Sequence, residues 1–172
     1  MAVTKLIHCP QNNHQFSISN WLCNMCGSVA IERNGIYTLT TDCYIDRSGF
    51  HAEFFEELAE KEGKSFWFRA RNELIAWAFK KHSAAARTFL EIGCGTGFVI
   101  QGLAKRFPHL DCFASELLPE GLQFAQKRVP DATFIQVDAR KLPFYCQFDA
   151  IGAFDVIEHI EEDEQVISSV YD

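Results

Sequence analysis

The chain is 172 residues long, 48% hydrophobic and 23% charged, a composition that suits one globular domain and excludes a disordered or fibrous chain. Its formal net charge of −7 argues against a surface built to grip nucleic-acid phosphates, which needs clustered Lys and Arg. No run approaches the roughly 18 apolar residues of a membrane helix, and the opening Met1-Ala2-Val3-Thr4-Lys5 carries no apolar leader core, so a cytoplasmic chain with reduced cysteines is expected.

Residues 1 to about 40 consist of short apolar pieces between polar turns, with Cys9-Pro10-Gln11-Asn12-Asn13-His14 followed by Cys23-Asn24-Met25-Cys26-Gly27. Two thiolates in a C-x-x-C spacing can bite one Zn²⁺, and the glycine after them lets backbone N–H groups turn toward the sulfurs. Cys9, His14, Cys23 and Cys26 would close a Cys3His tetrahedron, with His8 or Cys43 as substitutes for His14. The plainer alternative is a set of free cysteines in a short β-rich extension. Segment 31–40 alternates around Asn34-Gly35 and predicts a hairpin.

Residues 51–62 predict a helix with an acidic face, interrupted by Gly63. Ser65 is then placed to cap a second helix, Phe66 to about His82, whose Trp67, Ala70, Leu74 and Ala78 recur at helical spacing as the packed stripe. That helix either packs on a sheet or forms a lid over a ligand pocket, with Arg69 or Arg71 near a ligand carboxylate.

The stretch Phe89-Leu90-Glu91-Ile92-Gly93-Cys94-Gly95-Thr96-Gly97-Phe98-Val99-Ile100 reads as strand, tight glycine loop and helix. A dinucleotide site wants G-x-G-x-x-G, and the position of its third glycine, counted from Gly93, is Phe98. Glu91-Ile-Gly-Cys-Gly-Thr-Gly97 instead resembles the first motif of the class I S-adenosylmethionine (SAM) dependent methyltransferases, in which the loop wraps the methionine part and ribose of SAM. The N-terminal piece is in turn similar to small zinc ribbons that precede some bacterial methyltransferase domains.

The later motifs fall at the expected intervals. Phe98, Val99, Gly102, Leu103 and Phe107 make an apolar helical stripe stopped by Pro108, and the strand Asp111–Ser115 then ends at Glu116. An acid at a second strand's carboxyl end, roughly 20 residues past the loop, can accept both ribose hydroxyls. The next strand, Thr133–Asp138, ends in another acid, and Asp138-Ala139 resembles the family motif that meets the adenine amino group and ring; the alternative is a capping or turn aspartate. Phe148–Phe154 is a nearly continuous apolar run, as expected of a strand covered on both faces. It leads into Asp155-Val-Ile-Glu-His159-Ile, which resembles the fourth motif of the branch containing ubiquinone and menaquinone biosynthesis enzymes.

The resemblance implies a cofactor site of Glu91, Gly93, Cys94, Gly95, Gly97, Glu116, Leu117, Asp138, Ala139 and Phe154 around SAM or S-adenosylhomocysteine (SAH). Asp155 and His159 are the candidates for a base, with Glu158 beside them, and histidine titrates in the range such work needs; the alternative is that Asp155 and His159 only shape the pocket floor or pair with backbone. The expected fold is α/β, a Rossmann-like doubly wound parallel sheet of about four strands, incomplete because the family usually continues beyond this length. The organisation expected is a zinc-ribbon-like segment over 1–45, a helical lid or linker over 50–87 and a SAM-binding core over 88–172. The open edge of the fourth strand leaves three arrangements: a fragment, a dimer or partner chain over the edge, or a non-catalytic binding or interaction module. The acceptor expected of an active enzyme is a small or lipid-linked molecule.

Overall fold

The computed structural model describes residues 6–9, 14–17, 21–23, 26–39, 53–144 and 146–171, the first two segments as backbone. Strands β1 (Leu6–Cys9), β2 (His14–Ser17) and β3 (Leu22–Cys23) form a small antiparallel sheet in that order. Its register sets Cys9 opposite His14 and Phe16 opposite Cys23.

The hairpin predicted over 31–40 is present as β4 (Ile31–Arg33) and β5 (Ile36–Thr38). Asn34 and Gly35 both have positive φ, 54° and 78°, the pair of left-handed residues that a tight two-residue hairpin turn requires. The hairpin does not stay with the N-terminal strands. β5 pairs in parallel with β8 (Thr133–Gln136), and the main sheet has six strands in the order β4-β5-β8-β7-β6-β9, not the four or so expected. Ile36 is buried in the same apolar cluster as Val129 and Phe134, and Tyr37 stacks on Trp21 with ring centroids 3.7 Å apart. A three-residue strand looks the same in sequence whether its partner is local or a hundred residues away.

Helix α1 (Glu53–Lys61) and helix α2 (Phe66–His82) lie close to their predicted bounds. The packed face of α2 is not the predicted one. Trp67 and Leu74 are 67% and 62% exposed, while Ala76 and Phe79 are buried with Phe89 and Phe107. Choosing a stripe by spacing alone picked the wrong side, because this helix is aromatic around most of its circumference. Ser65 stands at the N-cap but its side chain makes no capping bond.

β6 (Thr88–Ile92) is buried along its whole length, as a central parallel strand covered on both faces should be. α3 (Phe98–Arg106), β7 (Asp111–Glu116), α4 (Pro119–Arg128) and β9 (Ala150–Ala153) follow, then α5 (Asp163–Tyr171). Pro119 occupies the first turn of α4, where its missing N–H costs nothing. β9 is shorter than expected and only partly buried, because among the described residues it is the edge of the sheet and pairs with β6 alone. Asp149 sets its entry: the carboxylate accepts from the amides of Arg87 and Thr88 at 2.7 and 2.9 Å and from the Thr88 hydroxyl at 3.1 Å. β5 to β9 all run parallel in this α/β, Rossmann-like fold, so their carboxyl ends share one edge of the sheet.

Candidate cofactor site at the carboxyl ends of the strands

The site forms where the strand order turns, with β7 on one side of β6 and β9 on the other. Gly93, Gly95 and Gly97 have φ of 64°, 51° and 76°, a region that side-chain-bearing residues rarely adopt, so the loop needs glycine at all three. The loop is anchored to its neighbour strand by the Cys94 amide on the Ser115 carbonyl at 2.9 Å.

Glu116 is the last residue of that strand, at its carboxyl end. Its Oε2 accepts from the Gly95 amide at 3.1 Å, and its Oε1 accepts from the Leu117 and Leu118 amides at 2.7 and 3.2 Å. Burial pushes its pKa above the ordinary glutamate value, against the pull of those three amides. Glu91 is 2% exposed, and one of its oxygens has no hydrogen-bond partner. Burial raises its pKa well above the usual range; the Ile100 amide and the Arg71 charge oppose the rise. The thiol of Cys94 is also pushed well up by burial and by Glu116 and Glu91, which removes it as a nucleophile.

Arg71 comes to the site from α2 and forms an ion pair with Asp155, while Arg69 is exposed and turns its Nε to the Ser65 carbonyl at 3.4 Å. Arg71 Nε and Asn72 Oδ1 are buried without partners, like the Glu91 oxygen. Asp155 has φ of 55°, a strained value for a residue with a side chain, two residues past β9. The next residue, Val156, occupies space at Gly93, where a Cβ would stand 2.4 Å from a valine methyl. Phe154 is half-buried, and Glu158 and His159 are exposed on the short 3₁₀ turn Ile157–His159.

Asp138 stands as a capping aspartate, the alternative to an adenine acceptor. It caps a 3₁₀ turn over Ala139–Lys141, and both carboxylate oxygens are engaged by Arg140 at 2.6 to 3.1 Å. Arg140 also reaches Glu162 at 2.8 Å, and the Ala139 carbonyl accepts from Ser169 at 2.7 Å. Burial alone would raise the Asp138 pKa, but Arg140 holds it below the usual value. The sequence reading missed Arg140, and it missed Glu62, Arg128 and Phe55, which meet the glycine loop from α1 and α4. Glu62 closes a run of exposed glutamates, and nothing in its spacing distinguishes it.

Of the predicted metal ligands, Cys23 is buried and Cys26 exposed, with the Cys26 sulfur 3.0 Å from the Ser28 hydroxyl. The Cys23–Ser28 turn is closed by Gly27 N–H on the Cys23 carbonyl at 2.9 Å and Cys23 N–H on the Ser28 carbonyl at 2.8 Å. Among the described residues, no group of three or more His, Cys, Asp or Glu is assembled to hold a metal; the side chains of Cys9, His14 and His8, and all of Cys43, lie outside them.

Fold and site together define a Rossmann-like methyltransferase fold. Residues 89–172 match the family model described as a methyltransferase domain. The chain is 30% identical over 116 residues to dTDP-3-amino-3,6-dideoxy-alpha-D-glucopyranose N,N-dimethyltransferase from Streptomyces fradiae, covering 67% of this chain and 44% of that one. The chain therefore spans less than half the length of that relative. Among solved structures, a SAM-bound amino pentose methyltransferase from Micromonospora echinaspora has a TM-score of 0.55 at 23% identity, over 74% of this chain and 52% of that one. A Methanococcus maripaludis protein described as a candidate SAM-dependent methyltransferase has a TM-score of 0.64 at 17% identity, over 76% of this chain and 62% of that one. At these identities the structural likeness establishes the fold. Residues 89–172 thus match a methyltransferase-domain model, and the chain has the Rossmann-like fold of the methyltransferase structures.

Proposed function

We propose that this chain binds SAM at the carboxyl edge of its sheet and transfers the methyl group to a small-molecule or carrier-linked acceptor. The observation that carries the reading is Glu116: an acid at the end of β7, held by the Gly95 amide of the glycine loop, with its pKa raised by burial. A carboxylate in that position is a bidentate acceptor for a vicinal diol. The backbone of Gly93, Cys94, Gly95 and Gly97 faces the methionine part, Leu117 and Phe154 flank the nucleoside, and Asp138 with Ala139 receives the adenine. Since Arg140 engages both Asp138 oxygens, the adenine amino group shares one of them. Arg71, whose Nε is buried and unpartnered, fits the methionine carboxylate, and Glu91, with one oxygen likewise buried and unpartnered, belongs to the same site.

When bound, SAM supplies an electrophilic methyl group on a sulfonium, open to in-line displacement. The protein's part is to orient the acceptor and exclude water. Asp155 and His159 stand at the end of β9 and are the groups proposed to take a proton from an acceptor that must lose one. His159→Ala is expected to leave SAH affinity within about twofold while cutting turnover by up to roughly 10²–10⁴-fold. Acceptors of the sugar-amine or acyl-carrier kind fit the relatives' names. Titration with SAH, with NADH as control, tests the site. Micromolar binding abolished in Glu116→Ala supports it, and no SAH binding by the folded chain overturns it.

We also propose a structural Zn²⁺ on the N-terminal sheet, held by Cys9, His14, Cys23 and Cys26. The register supports it, because Cys9, His14 and Cys23 fall on one face of the three strands. Metal analysis of protein purified without added zinc tests it, and less than about 0.2 Zn²⁺ per chain overturns it. No helix of the described residues is long and apolar enough to cross a membrane.

A further inference from the structure

Glu62 follows α1 directly, and it is buried against the cofactor loop with only 8% of its side chain exposed. Its two oxygens lie 2.8 and 2.7 Å from the hydroxyl of Thr96, the residue between Gly95 and Gly97. Arg128, the last residue of α4, completes the group. Its Nη1 is 2.8 Å from Glu62 Oε2 and donates to the Thr96 hydroxyl at 3.2 Å, and its Nη2 donates to the Ala59 carbonyl in the last turn of α1 at 3.2 Å. The guanidinium also stands 5.3 Å from the ring centre of Phe98, the first residue of α3.

This arrangement is directional in a way that apolar packing is not. A buried carboxylate is tolerated only when paired and hydrogen-bonded, and here each partner supplies part of what the others need. Thr96, itself 3% exposed, has one hydroxyl proton; it donates that proton to Glu62 and accepts from Arg128, which fixes the side chain and with it the middle of the loop. The same α1 presses Phe55 onto the loop. A Cβ on Gly121 would stand 2.9 Å from the Phe55 ring and 3.0 Å from the Gly95 carbonyl, so α1, α4 and the loop meet with no spare room.

We propose that Glu62 and Arg128 are positioning residues for the cofactor loop. They hold Thr96, and through it the Gly93–Gly97 backbone, in the conformation that aims the Gly95 amide at Glu116, and so make α1 part of the SAM site. This rests on the reading of the loop as a SAM site.

The test pairs a ligand-free readout with a binding readout. Thr96→Val removes the hydroxyl and keeps the shape, Thr96→Ser restores it, Glu62→Gln removes the charge, and Arg128→Lys leaves an ammonium that cannot bridge Glu62, Thr96 and Ala59 together. In folded protein without ligand, Thr96→Val, Glu62→Gln and Arg128→Lys are expected to speed hydrogen exchange at the Gly95–Gly97 amides. They are expected to weaken SAH by about 10-fold or more, with Thr96→Ser within about threefold of the parent. If one variant does not fold, the other two carry the comparison. Loop exchange unchanged from the parent, with SAH affinity within about twofold, overturns the proposal. If the variants loosen the loop but the parent binds no SAH, the positioning network stands and the cofactor reading falls.

Discussion

Glu91 is a carboxyl group kept where ionisation is costly. Its folded pKa lies well above the ordinary 4.5, so between those values the folded chain keeps a proton that the unfolded chain has released. Its contribution to stability is therefore complete below about pH 4.5 and is lost as pH rises through the folded value. Glu116 has a shift of the same sign. Glu91→Gln retains an acceptor for the Ile100 amide and nothing to ionise. Thermal unfolding in pH steps from about 4.5 to 8 is expected to show the variant gaining on the parent as pH rises. A constant difference across that range would falsify the assignment of Glu91 as a buried carboxyl that titrates high.

At the scale of the element, α2 shows that amphipathicity depends on what a helix faces. Phe79 packs against Phe89 and Phe107 with ring centroids 5.5 and 5.0 Å apart, whereas Trp67 is 67% exposed. Phe79→Ala is expected to cost about 3–5 kcal/mol, and Trp67→Ala within about 0.5 kcal/mol. Denaturant unfolding of both variants checks the pair, and a larger loss at Trp67 would restore the stripe that spacing suggested. The same helix carries Arg71 inward to Asp155, so its orientation decides which of its two candidate arginines reaches the site.

At the scale of the molecule, the hairpin near the N-terminus is part of the main sheet. Ile36 is 7% exposed in the cluster that contains Ala114, Leu122 and Phe134 beneath the site. Ile36→Ala is expected to cost about 2–5 kcal/mol and to lower the midpoint of the whole sheet's unfolding, followed by near-ultraviolet signals and by SAH protection. An early, separate loss of the N-terminal strands with the main transition unmoved would show that the hairpin is only appended. At the opposite edge of the sheet among the described residues stands β9, with Ile151 36% exposed.

The sequence by itself determined the elements and the chemistry at their ends. The positive-φ glycines, Glu116 at the end of β7, Asp138 after β8 and the bounds of α2 follow from spacing and local backbone preference, which operate over a few residues. Only the tertiary structure decided the partners of those groups. The Thr38 hydroxyl donates to Gln136 across 98 positions, Arg71 meets Asp155 across 84, and Thr96 meets Glu62 across 34. Contacts over such separations depend on how whole elements pack, and a buried glutamate reads like its solvated neighbours until that packing is known.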